Sequence, residues 1–99
     1  MRVWLYGRDQ ADIHRLEEQC AAYADIVVGR SLYDPQSEFP QGKLLKPMQA
    51  AMHGAIDLLL ITERTLLGDT EKQIHEINTV FLSYGVSVKS ACSSDNRSS

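Results

Sequence analysis

The sequence predicts an α/β protein, a three-layer α/β/α domain built on a mostly parallel four-stranded sheet. Three observations carry this expectation. Strand-like and helix-like segments alternate along the 99 residues. The run Leu58-Leu59-Leu60-Ile61 is apolar at every position, as a central parallel strand covered on both faces requires. The segments between strands repeat apolar residues at spacings of three and four, the period of a helix with one buried face. Right-handed crossovers between successive strands then give a parallel sheet with helices on both sides.

Taken in order, Val3-Trp4-Leu5-Tyr6 is a run of strand formers ending at Gly7, a buried first strand followed by a loop. From Gln10 to Ala24, Ile13, Leu16, Cys20 and Tyr23 form an apolar stripe, while Asp12, Arg15, Glu17 and Glu18 fall on other faces. Ile26 opens a second strand reaching Leu32. Asp34-Pro35-Gln36-Ser37 and Pro40-Gln41-Gly42 then read as a polar loop, a candidate site or flap. Leu44, Met48, Ala51 and Met52 make a second stripe ending near Gly54, with the regular helix expected to start at Pro47. Leu58–Ile61 is the third strand, and Asp57 stands at its start. Thr70 and Gln73 read as a capping box ahead of the stripe Ile74, Ile77, Phe81 and Tyr84, which stops at Gly85. Val86 and Val88 give the last strand. The division expected is a domain over 1–91 and a flexible polar tail over 92–99.

Composition excludes several function classes. The length allows one core, and ten Lys plus Arg against thirteen Asp plus Glu supply no basic field for holding DNA through its phosphates. DNA contact is therefore expected to be weak or indirect. Cys20 and Cys92 form no zinc-type spacing, and His14, His53 and His75 lack short ligand spacings, so neither a metal nor a cofactor is expected. No glycine-rich nucleotide loop is present. The N-terminus has no secretory pattern and no apolar run approaches the roughly 20 residues of a membrane helix, so a cytoplasmic protein with reduced thiols is expected. Asp57, at the wrong end of its strand, argues against a receiver-type phosphoacceptor.

In a doubly wound sheet ligands gather at the carboxyl ends of the strands. That edge carries Gly7, Arg8 and Asp9 after the first strand, Asp34 to Ser37 after the second, and Glu63 to Asp69 after the third. These loops, with Tyr6-Gly7-Arg8-Asp9-Gln10, then Leu16 and Gln19, Asp34-Pro35-Gln36-Ser37, Asp57-Leu58-Leu59-Leu60-Ile61, Arg64 to Asp69, and Gly85-Val86-Ser87-Val88, resemble the N-terminal catalytic domain of the serine recombinases, the resolvase and invertase family. The resemblance covers about residues 1 to 91 and implies a resolvase-like fold and a role in DNA recombination. It implies site roles for Tyr6, Arg8, Gln19, Asp34 and Ser37.

Departures fall at the reacting positions. The family's nucleophilic serine, the last residue of Tyr-x-Arg-Val-Ser, is matched by Gln10, whose carboxamide cannot form a phosphoester. The two arginines of the family's Leu-Asp-Arg-Leu-x-Arg motif, which would stabilise charge on the transferring phosphate, are matched by Leu66 and Asp69. A carboxylate there repels phosphate: at an effective dielectric of about 20, two unit charges about 4 Å apart interact by roughly 4 kcal/mol. Thr65 replaces the motif's aspartate, Gln41 is nearest to a further arginine, and Glu38 replaces a glycine. Complete recombinases continue into a long dimerising helix and a DNA-binding domain, where this chain has a Ser-rich tail. The expectation is a degenerate pseudoenzyme domain, a DNA-recombination module of a mobile element, partnered by an intact serine recombinase or by itself.

Two other classes stay open in the sequence. One is an active strand-exchange enzyme with its nucleophile moved to Ser37 or Ser31; the other is a small-anion sensor using Arg8 and the second loop. Against them, Asp-Pro-x-Ser is an ordinary turn, Arg8 has Asp9 or Asp34 as ion-pair partners, and Asp9 or Gln10 serves most simply as a helix cap.

Overall fold

The computed structural model describes residues 1–33 and 41–91, with the side chains of 41–43 left aside. The elements run β1 (Arg2–Gly7), α1 (Gln10–Ala22), β2 (Ile26–Leu32), α2 (Gln41–Met52), β3 (Leu58–Ile61), a 3-10 turn at Arg64–Leu66, α3 (Glu71–Ser83) and β4 (Ser87–Ser90). The four strands are all parallel in the order β2-β1-β3-β4. Strand order reverses beside β1, so the crevice between β1 and β3 at their carboxyl ends is the switch point where such sheets bind ligands.

The sheet separates two cores. Val3, Leu5, Leu58 and Leu60 meet Ile13, Leu16 and Cys20 of α1 on one face. On the other, Tyr6, Leu59 and Ile61 pack with Leu44 and Ala51 of α2 and with Ile74, Ile77 and Phe81 of α3. β3 is buried at all four positions, as its unbroken apolar run requires. At the amino edge Asp57 accepts from the Arg2 backbone N–H at 3.0 Å and from the Arg2 guanidinium at 3.2 and 3.1 Å, tying the starts of β1 and β3 together. The Arg2 hydrogen bonds hold the Asp57 carboxyl down at about 2.

Two helix boundaries differ from the sequence expectation. α1 ends at Ala22, two residues early, and Ala24 takes the left-handed conformation with φ 58°. The Asp25 N–H reaches back to the Cys20 carbonyl at 2.9 Å, closing the helix without a glycine to announce it. α2 starts at Gln41 and runs through Pro47, so Gln41 and Gly42 are helical rather than loop and the helix does not start at Pro47, while Pro40 lies outside the described residues. Burial of Leu44 and Ala51 against the sheet outweighs the hydrogen bond that proline forfeits. α3 is capped as expected, the Thr70 hydroxyl accepting from the Gln73 N–H at 3.2 Å. The reciprocal half of the box is displaced by one residue, because Gln73 Oε1 accepts from the Asp69 N–H at 2.7 Å. α2 and α3 finish at Gly54 (φ 69°) and Gly85 (φ 79°), the left-handed turns the two glycines suggest. The turn at Asp34 to Ser37 and the tail 92–99 lie outside the described residues.

β2 joins β1 through a register shift: Val3 pairs with Val27 and Trp4 with Gly29, so Val28 is the extra residue. The Trp4 ring lies directly over Gly29, where an added Cβ would sit 2.2 Å from the ring, and the indole N–H donates to Ser31 Oγ at 3.0 Å. Gly29→Ala is therefore expected to displace Trp4 and to cost about 1–3 kcal/mol. Urea unfolding of the variant checks this, and a midpoint equal to that of the parent would contradict it.

Candidate functional site at the carboxyl edge of strands 1 and 3

The site is built from the turn after β1. Asp9 is the N-cap of α1, its carboxylate accepting from the Asp12 N–H at 3.0 Å. This cap sets the first helical turn so that Asp12 faces the end of the sheet rather than solvent, with 2% exposure. Gly7 permits the approach, since a Cβ there would lie 2.7 Å from Asp12 Cβ.

Asp12 is the hub. Its Oδ2 accepts from the Arg8 backbone N–H at 3.0 Å, from Arg8 Nε–H at 2.9 Å and from the Thr62 hydroxyl at 3.1 Å. Its Oδ1 accepts from the Arg15 guanidinium. Thr62 follows β3, so one carboxylate joins the loops after both central strands. The other end of the Arg8 guanidinium meets Glu63 at 3.1 Å. The hydrogen bond from Arg8 is the largest cause holding the Asp12 carboxyl far below the usual range, against burial, which pushes it up; Arg15 and Thr62 add to the lowering. Arg8 is raised in turn, by its hydrogen bond to Asp12 first and then by the charges of Asp12 and Glu63.

Among the described residues the Arg8 and Arg15 guanidinium groups here meet the carboxylates of Asp12 and Glu63, and the Asp9 charge acts on Arg8 as well. Arg8 is thus already committed to anions of its own chain. An incoming phosphate would have to displace a buried, four-donor carboxylate interaction or approach past Glu63.

The residues singled out from the sequence are spread more widely. Gln10 is exposed at the first position of α1, and it lines a cavity of about 110 Å³ with Ile13, Arg30 and Ser31. Ser31 is half-buried, its hydroxyl already accepting from Trp4. Tyr6 is fully buried in the α2/α3 core. Gln19 lies toward the far end of α1, beside Met1, Tyr23 and Asp25, and does not join Arg8. Leu66 is 3% exposed and packs into the core, while Asp69 is exposed. Asp34 and Ser37 lie outside the described residues.

Pairing of Arg8 with Asp9 is corrected to pairing with Asp12 and Glu63, and Asp34, the other expected partner, lies outside the described residues. The sequence reading also missed Asp12, Arg15 and Thr62, having placed Asp12 on a solvent face. The available signal was the i, i+4 spacing of Arg8 and Asp12 together with the i, i+3 spacing of Asp9 and Asp12 at a helix start.

No family model matches the chain, and no curated protein matches it. Solved structures do. The C-terminal catalytic domain of ISC1926 TnpA, an IS607-like serine recombinase, aligns with a TM-score of 0.75 at 20% identity over 91% of this chain and 69% of that one. The N-terminal catalytic domain of TP901-1 integrase aligns with a TM-score of 0.80 at 15% identity, covering 91% and 76%. A resolvase family site-specific recombinase from Streptococcus pneumoniae aligns with a TM-score of 0.76 at 14% identity, covering 89% and 70%. The chain has the fold of serine recombinase catalytic domains.

Because the Asp12 carboxyl is depressed in the folded state, the stability it contributes is full above the unfolded value near pH 4 and is lost as the pH falls toward the folded value. Asp12→Asn is expected to lower stability at pH 7 by about 2 kcal/mol, less than a fully buried pair because both arginine partners are half exposed. The variant should also lose less stability than the parent between pH 5 and pH 2. Urea unfolding across this range tests both; parental stability at pH 7 would contradict the role of Asp12.

Proposed function

We propose that this chain is a resolvase-like domain related to DNA recombination that does not cleave DNA and acts as an interaction or regulatory module, associated with an intact serine recombinase of a mobile element. The observation that carries the reading is the state of the carboxyl edge. The position matched to the nucleophile is Gln10, an exposed carboxamide that can exchange hydrogen bonds but cannot attack phosphorus.

The phosphate-stabilising positions support the same reading. Leu66 points into the core, so its place in the chain offers no side chain to solvent, and Asp69 is an exposed carboxylate. Arg8 is held by Asp12 and Glu63. Oriented positive charge is what stabilises a transferring phosphate, and here the one matched arginine is neutralised by its neighbours. What the fold keeps is its framework, two packed cores and a switch-point crevice, which suffices for recognising a protein surface.

Two outcomes are expected. Incubated with labelled random-sequence duplex DNA and then denatured, neither the parent nor Gln10→Ser retains label on the protein, because a hydroxyl alone does not restore the missing positive charge. A labelled band lost on Ser37→Ala would overturn the reading in favour of a displaced nucleophile. Mixed with an intact serine recombinase from the same cell, the chain co-elutes with it in gel filtration or alters its recombination rate; absence of both effects contradicts the regulatory role.

A further inference from the structure

Away from Arg8, a second cavity opens at the carboxyl ends of β3 and β4, where α3 passes over them. It measures about 380 Å³, at the small end of the range for ligand pockets. Its floor is apolar, made by Ile61, Ile74 and Val88. Its rim is polar: Arg64 from the 3-10 turn and His75 and Asn78 from α3 line it, and no described lining residue is acidic; Lys89, paired with Leu60, turns its side chain to the α1 face of the sheet. In a chain whose net charge is −3, Arg64 gives this rim a local positive charge.

Arg64 has one described carboxylate partner, Glu71, at 3.3 Å, with the two side chains 58% and 81% exposed. An ion pair this exposed contributes little, so an anion in the cavity can take the place of Glu71. Here the contrast with Arg8 decides which arginine is available: Arg8 faces the buried Asp12 and also Glu63.

We propose that the cavity between α3 and the ends of β3 and β4 binds a small organic anion, an apolar ring or short chain bearing one carboxylate or phosphate. The apolar body rests on Ile61, Ile74 and Val88, and the anionic group lies at the rim, held by Arg64 with His75 beside it. The Asn78 carboxamide supplies both a donor and an acceptor beside it. This site is independent of the recombination reading and would survive its failure.

Phenyl phosphate is the probe, titrated into the isotope-labelled full chain and followed by amide and methyl NMR. The expected result is saturable shifts of Ile61, Ile74 and Val88 with a Kd on the order of 1 mM or tighter, in keeping with so few ligand atoms. Inorganic phosphate, which lacks the apolar body, and benzyl alcohol, which lacks the charge, should each bind about tenfold more weakly or less. Arg64→Gln should weaken phenyl phosphate binding at least about tenfold while leaving the spectrum dispersed, since the side chain is exposed. The proposal is overturned by the absence of saturable shifts at these residues, by equal binding of phenyl phosphate and either control, or by binding that Arg64→Gln leaves unchanged.

Discussion

The buried carboxylate of Asp12 is the constraint from which the rest of the site follows. It reaches the end of the sheet because Asp9 caps α1 and Gly7 has no side chain in the way. There it accepts from the backbone and guanidinium of Arg8, from Arg15 and from Thr62, so the loops after β1 and β3 are fastened to one atom group. A buried carboxylate is tolerable only when its oxygens are satisfied in this way. The carboxylate that joins the two loops is the same one that holds the Arg8 guanidinium.

The fold was legible in the sequence because its determinants are local and periodic. Leu58–Ile61 declares a strand buried on both faces, Ile74, Ile77 and Phe81 declare one face of α3, and Thr70 and Gly85 mark its limits. Where no local marker exists, the reading drifted. α1 closes through Ala24, a residue without the freedom of glycine, and α2 persists through Pro47 because contacts from elsewhere in the chain stabilise it.

The site was less legible for a related reason. Gln10, Leu66 and Asp69 could be picked out only as departures from a resemblance, and that resemblance says nothing of what replaces the lost groups. Asp12 and Thr62 are fifty residues apart in sequence and meet only because β1 and β3 are neighbours. An aspartate on a helix reads as a solvated charge until the sheet behind it is known. Leu66, at a position that the resemblance matches to an arginine, is buried in the core, which the sequence alone does not show. In sheets of this order the switch point is a crevice, and here Asp12 and Glu63 stand in it beside Arg8.

The most direct test of the Asp12 hub is to follow the Arg8 Nε–H resonance by NMR while dimethyl phosphate, a phosphodiester stripped of sequence and base contacts, is titrated into the folded chain. With Asp12 and Glu63 holding the guanidinium, the Arg8 resonance stays protected from solvent exchange and does not move with added phosphodiester. A saturable shift of Arg8 Nε–H in the parent chain would mean that the guanidinium is free to bind a DNA phosphate, and would contradict an edge closed by its own carboxylates.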